Sequence, residues 1–191
     1  MENFIRGKDF KYYDMLKAAQ EGLKKDFFAE YPNYEDPKGT YLITKNGQLP
    51  YLHSWKVYPI KYTPKYYDQI KNDIEYALKF AKLYKEKFPT AAGLIDHFGD
   101  DVNSAAYLVM EAGAWLDWHY DIENLDGELL CVHIPLDIPD GDLALDVDGD
   151  IIRWEDIFAF NNQKIHRAWN KSDKHRLVFL LDFTKKSCGV T

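Results

Sequence analysis

The stretch LLCVHIPLDIPDGDLALDVDGDIIRWEDIFAFNNQKIHRAWNKSDKHRLVFLLDF, residues 129–183, is a series of short apolar runs separated by turn signals. Segments of this length, punctuated at roughly ten-residue intervals, predict an all-β domain. Strands are expected at Leu129–Pro135, Leu143–Val147, Ile151–Trp154, Ile157–Phe160, His166–Asn170 and Arg176–Phe183. The acidic run DVDGDI resembles a calcium loop, but Ile151 follows the third acid where an EF-hand needs glycine. The Asp148-Gly149 pair predicts a two-residue hairpin turn instead.

Working back toward the amino terminus, Ala105–Met110 and Trp115–His119 read as two further strands. Eight short strands predict a double-stranded β-helix, a jelly-roll or cupin-like core, over residues 91–185. The chain changes character near residue 90. Residues 1–90 predict a helical and hairpin support region, with helices over Asp9 to Glu30 and Pro64 to Phe88. The second carries Tyr66, Ile70, Ile74, Ala77, Leu78, Ala81 and Tyr84 at helical spacing, with Lys79, Lys82, Lys85 and Lys87 on a solvated face. Between them, the Asn46-Gly47 pair predicts a hairpin followed by another extended piece. The fold class is mainly β with a helical first half, in one expected domain.

The 191 residues are 46% hydrophobic and 16% aromatic, enough for a well-filled core. A net charge of −7 with no basic stripe argues against a nucleic-acid partner. Cys131 and Cys188 are too few for a disulfide framework, and no long apolar run or leader-like segment stands out. A soluble, cytoplasmic protein is expected, with no membrane association; its oligomeric state is open.

The histidines carry the functional question. In LDWHYDIEN, residues 116–124, His119 and Asp121 lie two apart. On an extended strand they would project from one face into the mouth of a barrel. A two-histidine, one-carboxylate iron site needs a third ligand. His97 and His175 fall in apparent loops and read as surface residues, and His53 as a lining residue. His133 and His166 both stand as candidates.

The blocks WHYDIENLDGELLCVHIPLD and WEDIFAFNNQKIHRAWNKSDKHRLVFLLDF resemble the two signature blocks of the aspartyl/asparaginyl β-hydroxylase family of Fe(II)- and 2-oxoglutarate-dependent oxygenases. The resemblance runs from about Ala105 to Phe183. It implies His119, Asp121 and His166 as iron ligands, and Arg176, ten residues after His166, as the clamp on the far carboxylate of 2-oxoglutarate. It implies that His133 hydrogen-bonds the carboxylate nearest the metal. Cys131 stands where the family commonly has an arginine that contacts the cosubstrate, and Asn161-Asn162 where many members have two aspartates. The latter marks a branch resembling free-proline hydroxylases.

The resemblance implies a dioxygenase that uses Fe(II), 2-oxoglutarate and O2 to hydroxylate an unactivated carbon of a free amino acid or short peptide. Asp121 occupies the position that halogenating relatives leave small, which favours hydroxylation. Other members of the family modify Asp or Asn side chains in proteins. A non-catalytic cupin-like metal- or ligand-binding barrel is the contrasting class, and it has no need of Arg176. Trp115, Trp118, His53, Trp55 and Arg153 are the candidates for contacts with substrate.

Overall fold

The computed structural model describes residues 3–34, 41–42, 52–62, 85–121, 124 and 126–190. Its strands are β1 (Phe4–Arg6), β2 (Tyr41–Leu42), β3 (Leu52–Tyr62), β4 (Val102–His119), β5 (Leu129–Asp137), β6 (Leu143–Val147), β7 (Asp150–Ile152), β8 (Phe158–Phe160), β9 (His166–Asn170) and β10 (Arg176–Thr184). The helices are α1 (Tyr13–Glu30), α2 (Pro89–Phe98) and the short α3 (Lys185–Cys188). The predicted helix over 64–88 lies mostly outside the described residues, though 85–87 are helical. The predicted Asn46-Gly47 hairpin lies outside them too, and the extended piece after it is β3.

All the strands pair antiparallel, in the order β1-β8-β5-β10-β4-β9-β6-β7, with β3 along the other edge of β4 and β2 on β3. This is a mainly β, curled jelly-roll architecture. Strand β4 is the element common to its two layers. Residues 102–110 pair with β10, whereas Trp115, Leu116 and His119 pair with β9.

The sequence predicts two strands here, broken near Gly113, but the structure has one. Gly113 adopts a positive φ of 73°, and the register against β3 jumps from Trp55↔Met110 to His53↔Trp115. The extra residues are absorbed as a bulge and the strand bends without ending.

Period-two alternation builds two cores from the same strands. Tyr107 and Val109 of β4, Val132 and Ile134 of β5, and Phe179 and Leu181 of β10 face the helices. Leu16, Leu23 and Phe27, an apolar stripe on α1, cover them. The intervening residues, Leu108, Met110, Cys131 and Val178, point between the layers to meet Leu143, Leu145 and Val147 of β6. Burial on both faces explains why β5 and β10 read as continuous apolar runs rather than alternating ones. Helix α1 is tied down by the Tyr107 hydroxyl donating to the Leu23 carbonyl (3.1 Å), and the Thr90 N–H near the start of α2 donates to Asp26 of α1 (2.7 Å).

The Asp148-Gly149 turn forms as predicted. Both residues have positive φ, 52° and 90°, as a type I′ turn between β6 and β7 requires. Strand β1 has no counterpart in the sequence reading. It pairs with β8, and Asn3 before it donates to the Val147 carbonyl (2.9 Å) and accepts from the Lys164 ammonium. Trp154, expected to end a strand, lies beyond β7, which stops at Ile152. Among the described residues no helix is long and apolar enough to cross a membrane.

At Gly113 a Cβ would meet nothing within 4 Å, so backbone strain alone determines the effect of substitution. Gly113→Ala should cost about 1–2 kcal/mol in urea denaturation, and Gly113→Asn less, because Asn tolerates positive φ. Equal stability of the three proteins would show that the bend in β4 does not depend on a left-handed residue.

Candidate metal centre and anion pocket

His119 ends β4 and His166 begins β9, and their Cα atoms are paired in register. In a regular strand, inward Leu116 would place His119 on the outer face. The register of β4 against β9 shifts between Leu116 and His119, and this irregularity turns His119 inward. The two imidazole centroids are 4.1 Å apart.

Each ring is oriented from its own chain. His119 Nδ1 lies 2.7 Å from the Asp117 carbonyl and His166 Nδ1 2.8 Å from the Lys164 carbonyl. A carbonyl only accepts, so both rings carry a proton on Nδ1, and the Nε2 of each faces Asp121 Oδ1. Burial and the neighbouring His166 push the His119 pKa down, against the pull of Asp121, which favours the neutral ring a metal requires.

Asp121 arrives by a different route from the expected one. The strand ends at His119, and Asp121 is positioned by hydrogen bonds: its N–H donates to the Asn162 carbonyl (3.0 Å), and Asn162 Nδ2 donates to Asp121 Oδ2 (2.7 Å). The other oxygen, Oδ1, lies 3.5 Å from His119 Nε2 and 3.7 Å from His166 Nε2. One ligand atom from each of the three residues falls within 4.8 Å of the others. Asn162 is itself held by fully buried Asn124, whose Nδ2 donates to Asn162 Oδ1 (2.6 Å). Two nitrogen donors and one carboxylate on one side of a site suit a divalent transition metal such as iron(II).

His133 is in the opposite protonation pattern. Its Nδ1 accepts from the Trp154 indole N–H (3.0 Å). An indole can only donate, so the His133 proton is on Nε2 and neither nitrogen offers a lone pair to a metal. Burial, then Arg176 and His166, hold its pKa well below the usual histidine range. Hydrogen bonding thus separates His133 from His166, which residue spacing alone leaves open.

Arg176, the first residue of β10, has no exposed surface. Its guanidinium carbon lies 4.4 Å from the Trp154 ring and 5.1 Å from the Trp55 ring, and Nε, Nη1 and Nη2 have no hydrogen-bond partner. Burial lowers its pKa to about 9. A buried cation without an anion costs several kcal/mol, and a carboxylate ligand would relieve that cost. Ring contacts lead from Arg176 to the histidine pair: Trp154 to His133, His133 to Phe160 (5.4 Å) and Phe160 to His166 (5.4 Å). Arg176 and His166 both act electrostatically on His133, which stands between them in this series of contacts.

The remaining candidates disperse. Trp55 is buried against Arg176, as a pocket wall. Trp115, 48% exposed, projects from the opposite face to buried Ala114 and Leu116. Trp118, 39% exposed, stacks on the Arg167 guanidinium (4.5 Å). Arg153 is exposed and bonded to the Gly141 carbonyl, outside this group. The His53 backbone pairs with Trp115. His97 lies in α2, not in a loop, and is exposed; His175 is half-buried and accepts from the Ala112 N–H (3.2 Å). Cys131 is buried on the inner face of β5, leaving Arg176 as the buried arginine among the described residues.

The model of the family described as Aspartyl/Asparaginyl beta-hydroxylase matches residues 14–186. The ornithine lipid ester-linked acyl 2-hydroxylase of Rhizobium tropici is 31% identical over 88 residues, covering 44% of this chain and 30% of that protein. The chain thus matches less than a third of that relative's length. Among solved structures, an oxidoreductase of the 2OG-Fe(II) oxygenase family from Burkholderia pseudomallei superposes with a TM-score of 0.38 at 10% identity, covering 69% of this chain and 67% of that one. A predicted oxalate decarboxylase from Thermotoga maritima gives 0.37 at 11% identity, over 47% and 73%.

If the Arg176 charge is held at the expense of the fold, removing it should stabilise the ligand-free protein. Arg176→Met is expected to gain about 1–4 kcal/mol in chemical denaturation without added metal or organic acids. A clear loss of stability would mean that the guanidinium is compensated within the protein.

Proposed function

The chain belongs to the aspartyl/asparaginyl β-hydroxylase family, and we propose that it is an Fe(II)- and 2-oxoglutarate-dependent dioxygenase that hydroxylates an unactivated carbon of a free amino acid or short peptide. The observation that carries this reading is the unpartnered, buried Arg176, which together with His166 of the His119–Asp121–His166 cluster acts on the same buried imidazole, that of His133. A metal-binding barrel without a dicarboxylate cosubstrate gains nothing from such a cation.

In this reading His119, Asp121 and His166 hold iron(II), and Arg176 receives the far carboxylate of 2-oxoglutarate in a two-pronged hydrogen bond. His133 donates from Nε2 to the carboxylate nearer the metal. Trp154, Phe158 and Phe160 surround His133 and keep water from that end of the pocket. Iron(II) with 2-oxoglutarate and O2 would supply the oxidation, placing one oxygen atom in the substrate and the other in succinate as carbon dioxide leaves. The chain's own task is to position and shield. Because the Asp121 carboxylate fills the position a halide would need, hydroxylation is the reaction proposed.

A second substrate class has its own support. Trp118 and Tyr120 flank His119, Ile165 precedes His166, and all three are exposed. Together with the Rhizobium relative, this apolar rim favours a substrate with an acyl chain.

Incubation with iron(II), ascorbate and 2-oxoglutarate against amino acids, short peptides and acylated amino acids should give one product with a single added oxygen, matched by succinate, even in excess chloride. A chlorinated product would overturn the reaction, and oxygen added only to the acylated compounds would shift the reading to the second class. His166→Ala should abolish tight iron(II) or manganese(II) binding. Arg176→Ala should leave metal affinity unchanged and weaken 2-oxoglutarate roughly thirtyfold or more. Unchanged 2-oxoglutarate affinity in that variant would remove the case for this cosubstrate.

A further inference from the structure

Trp154, between β7 and β8, is 2% exposed and touches both groups assigned above to the cosubstrate. Its indole N–H meets His133 Nδ1 at 3.0 Å, with the two ring planes 14° apart and their centroids separated by 6.2 Å. The hydrogen bond therefore runs nearly in the plane of both rings. The face of the same indole lies 4.4 Å from the Arg176 guanidinium carbon. One function uses the ring's edge and the other its face, so neither interferes with the other.

We propose that Trp154 is a positioning residue for the 2-oxo acid, fixing His133 as an Nε2–H donor toward the bound carboxylate while its π face seats the guanidinium that receives the other end. This rests on the reading of the chain as a 2-oxoglutarate enzyme. Since the indole is a donor and never an acceptor, it selects one of the two neutral forms of His133. Phe158 and Phe160, with centroids 5.3 and 5.4 Å from the imidazole, hem in the ring. A half-turn of the imidazole about Cβ–Cγ would put Cδ2–H where Nδ1 now accepts and discard the hydrogen bond.

The same constraint has a second effect. A third histidine close to a metal site competes as a ligand if it has a free lone pair. His119 and His166 give their Nδ1 protons to carbonyls and turn Nε2 toward Asp121, whereas Trp154 occupies Nδ1 of His133 and leaves Nε2 protonated. Three histidines in one pocket are thus sorted into two ligands and one donor by what each is bonded to on its far side.

Trp154→Phe keeps an aromatic face for Arg176 while removing the N–H along with the five-membered part of the ring. In metal-free protein labelled with 15N-histidine, wild-type His133 should show a bare Nδ1 and a protonated Nε2, and Trp154→Phe should show a mixture or the reverse. In calorimetric titrations of the manganese(II)-loaded proteins without oxygen, Trp154→Phe should weaken 2-oxoglutarate by about tenfold while manganese affinity stays the same. A wild-type His133 protonated on Nδ1 overturns the proposal even if the variant does not fold. Equal 2-oxoglutarate affinity in the two proteins overturns it while leaving the function standing. A wild-type protein that binds no 2-oxoglutarate overturns both.

Discussion

Side chains alternate along a strand, so the inward Leu116 would send His119 to the outer surface if β4 were regular, and the irregularity before His119 reverses that. The metal cluster depends on this local breach of the pleat. The strand that carries it is the one shared by both layers, paired with β10 along its first half and with β9 along its second. A fault in β4 would therefore be felt at once in the cores on either side.

Around the metal cluster the polar groups are held by directed hydrogen bonds rather than by matched charges. Asn162 gives Asp121 a neutral partner on one oxygen and leaves the other free. An aspartate in its place would set two carboxylates against each other unless one kept a proton. Arg176 is the exception, a charge held between two indoles with nothing to neutralise it. Stability given up at that position is binding energy for an anion, a trade commonly made where a protein must bind a small charged ligand tightly.

Much of the β half was legible because its physics is local. Leu143–Val147 and His166–Asn170 form as predicted, since apolar runs bounded by turn residues have few alternatives, and Asp148-Gly149 dictates its own turn. The reading of His119, Asp121 and His166 as neighbours rested on a family resemblance more than on spacing. What was missed depends on distant partners. Strand β1 is three residues long and has meaning only beside β8. The continuity of β4 through Gly113 requires β3 alongside, and Asn124 and Trp154 matter through residues 38 and 21 positions away.

The N-terminal strap has a bearing on the order in which the molecule assembles. Asn3 and β1 are the first described residues of the chain, yet their partners are Val147, β8 and Lys164, up to 161 positions later. During synthesis this segment cannot pair until the chain as far as Lys164 has been made. Lys164 also supplies the carbonyl that orients His166. Pairing of the first strand is thus among the contacts of greatest sequence separation in the molecule, and such contacts cost the most loop-closure entropy to make.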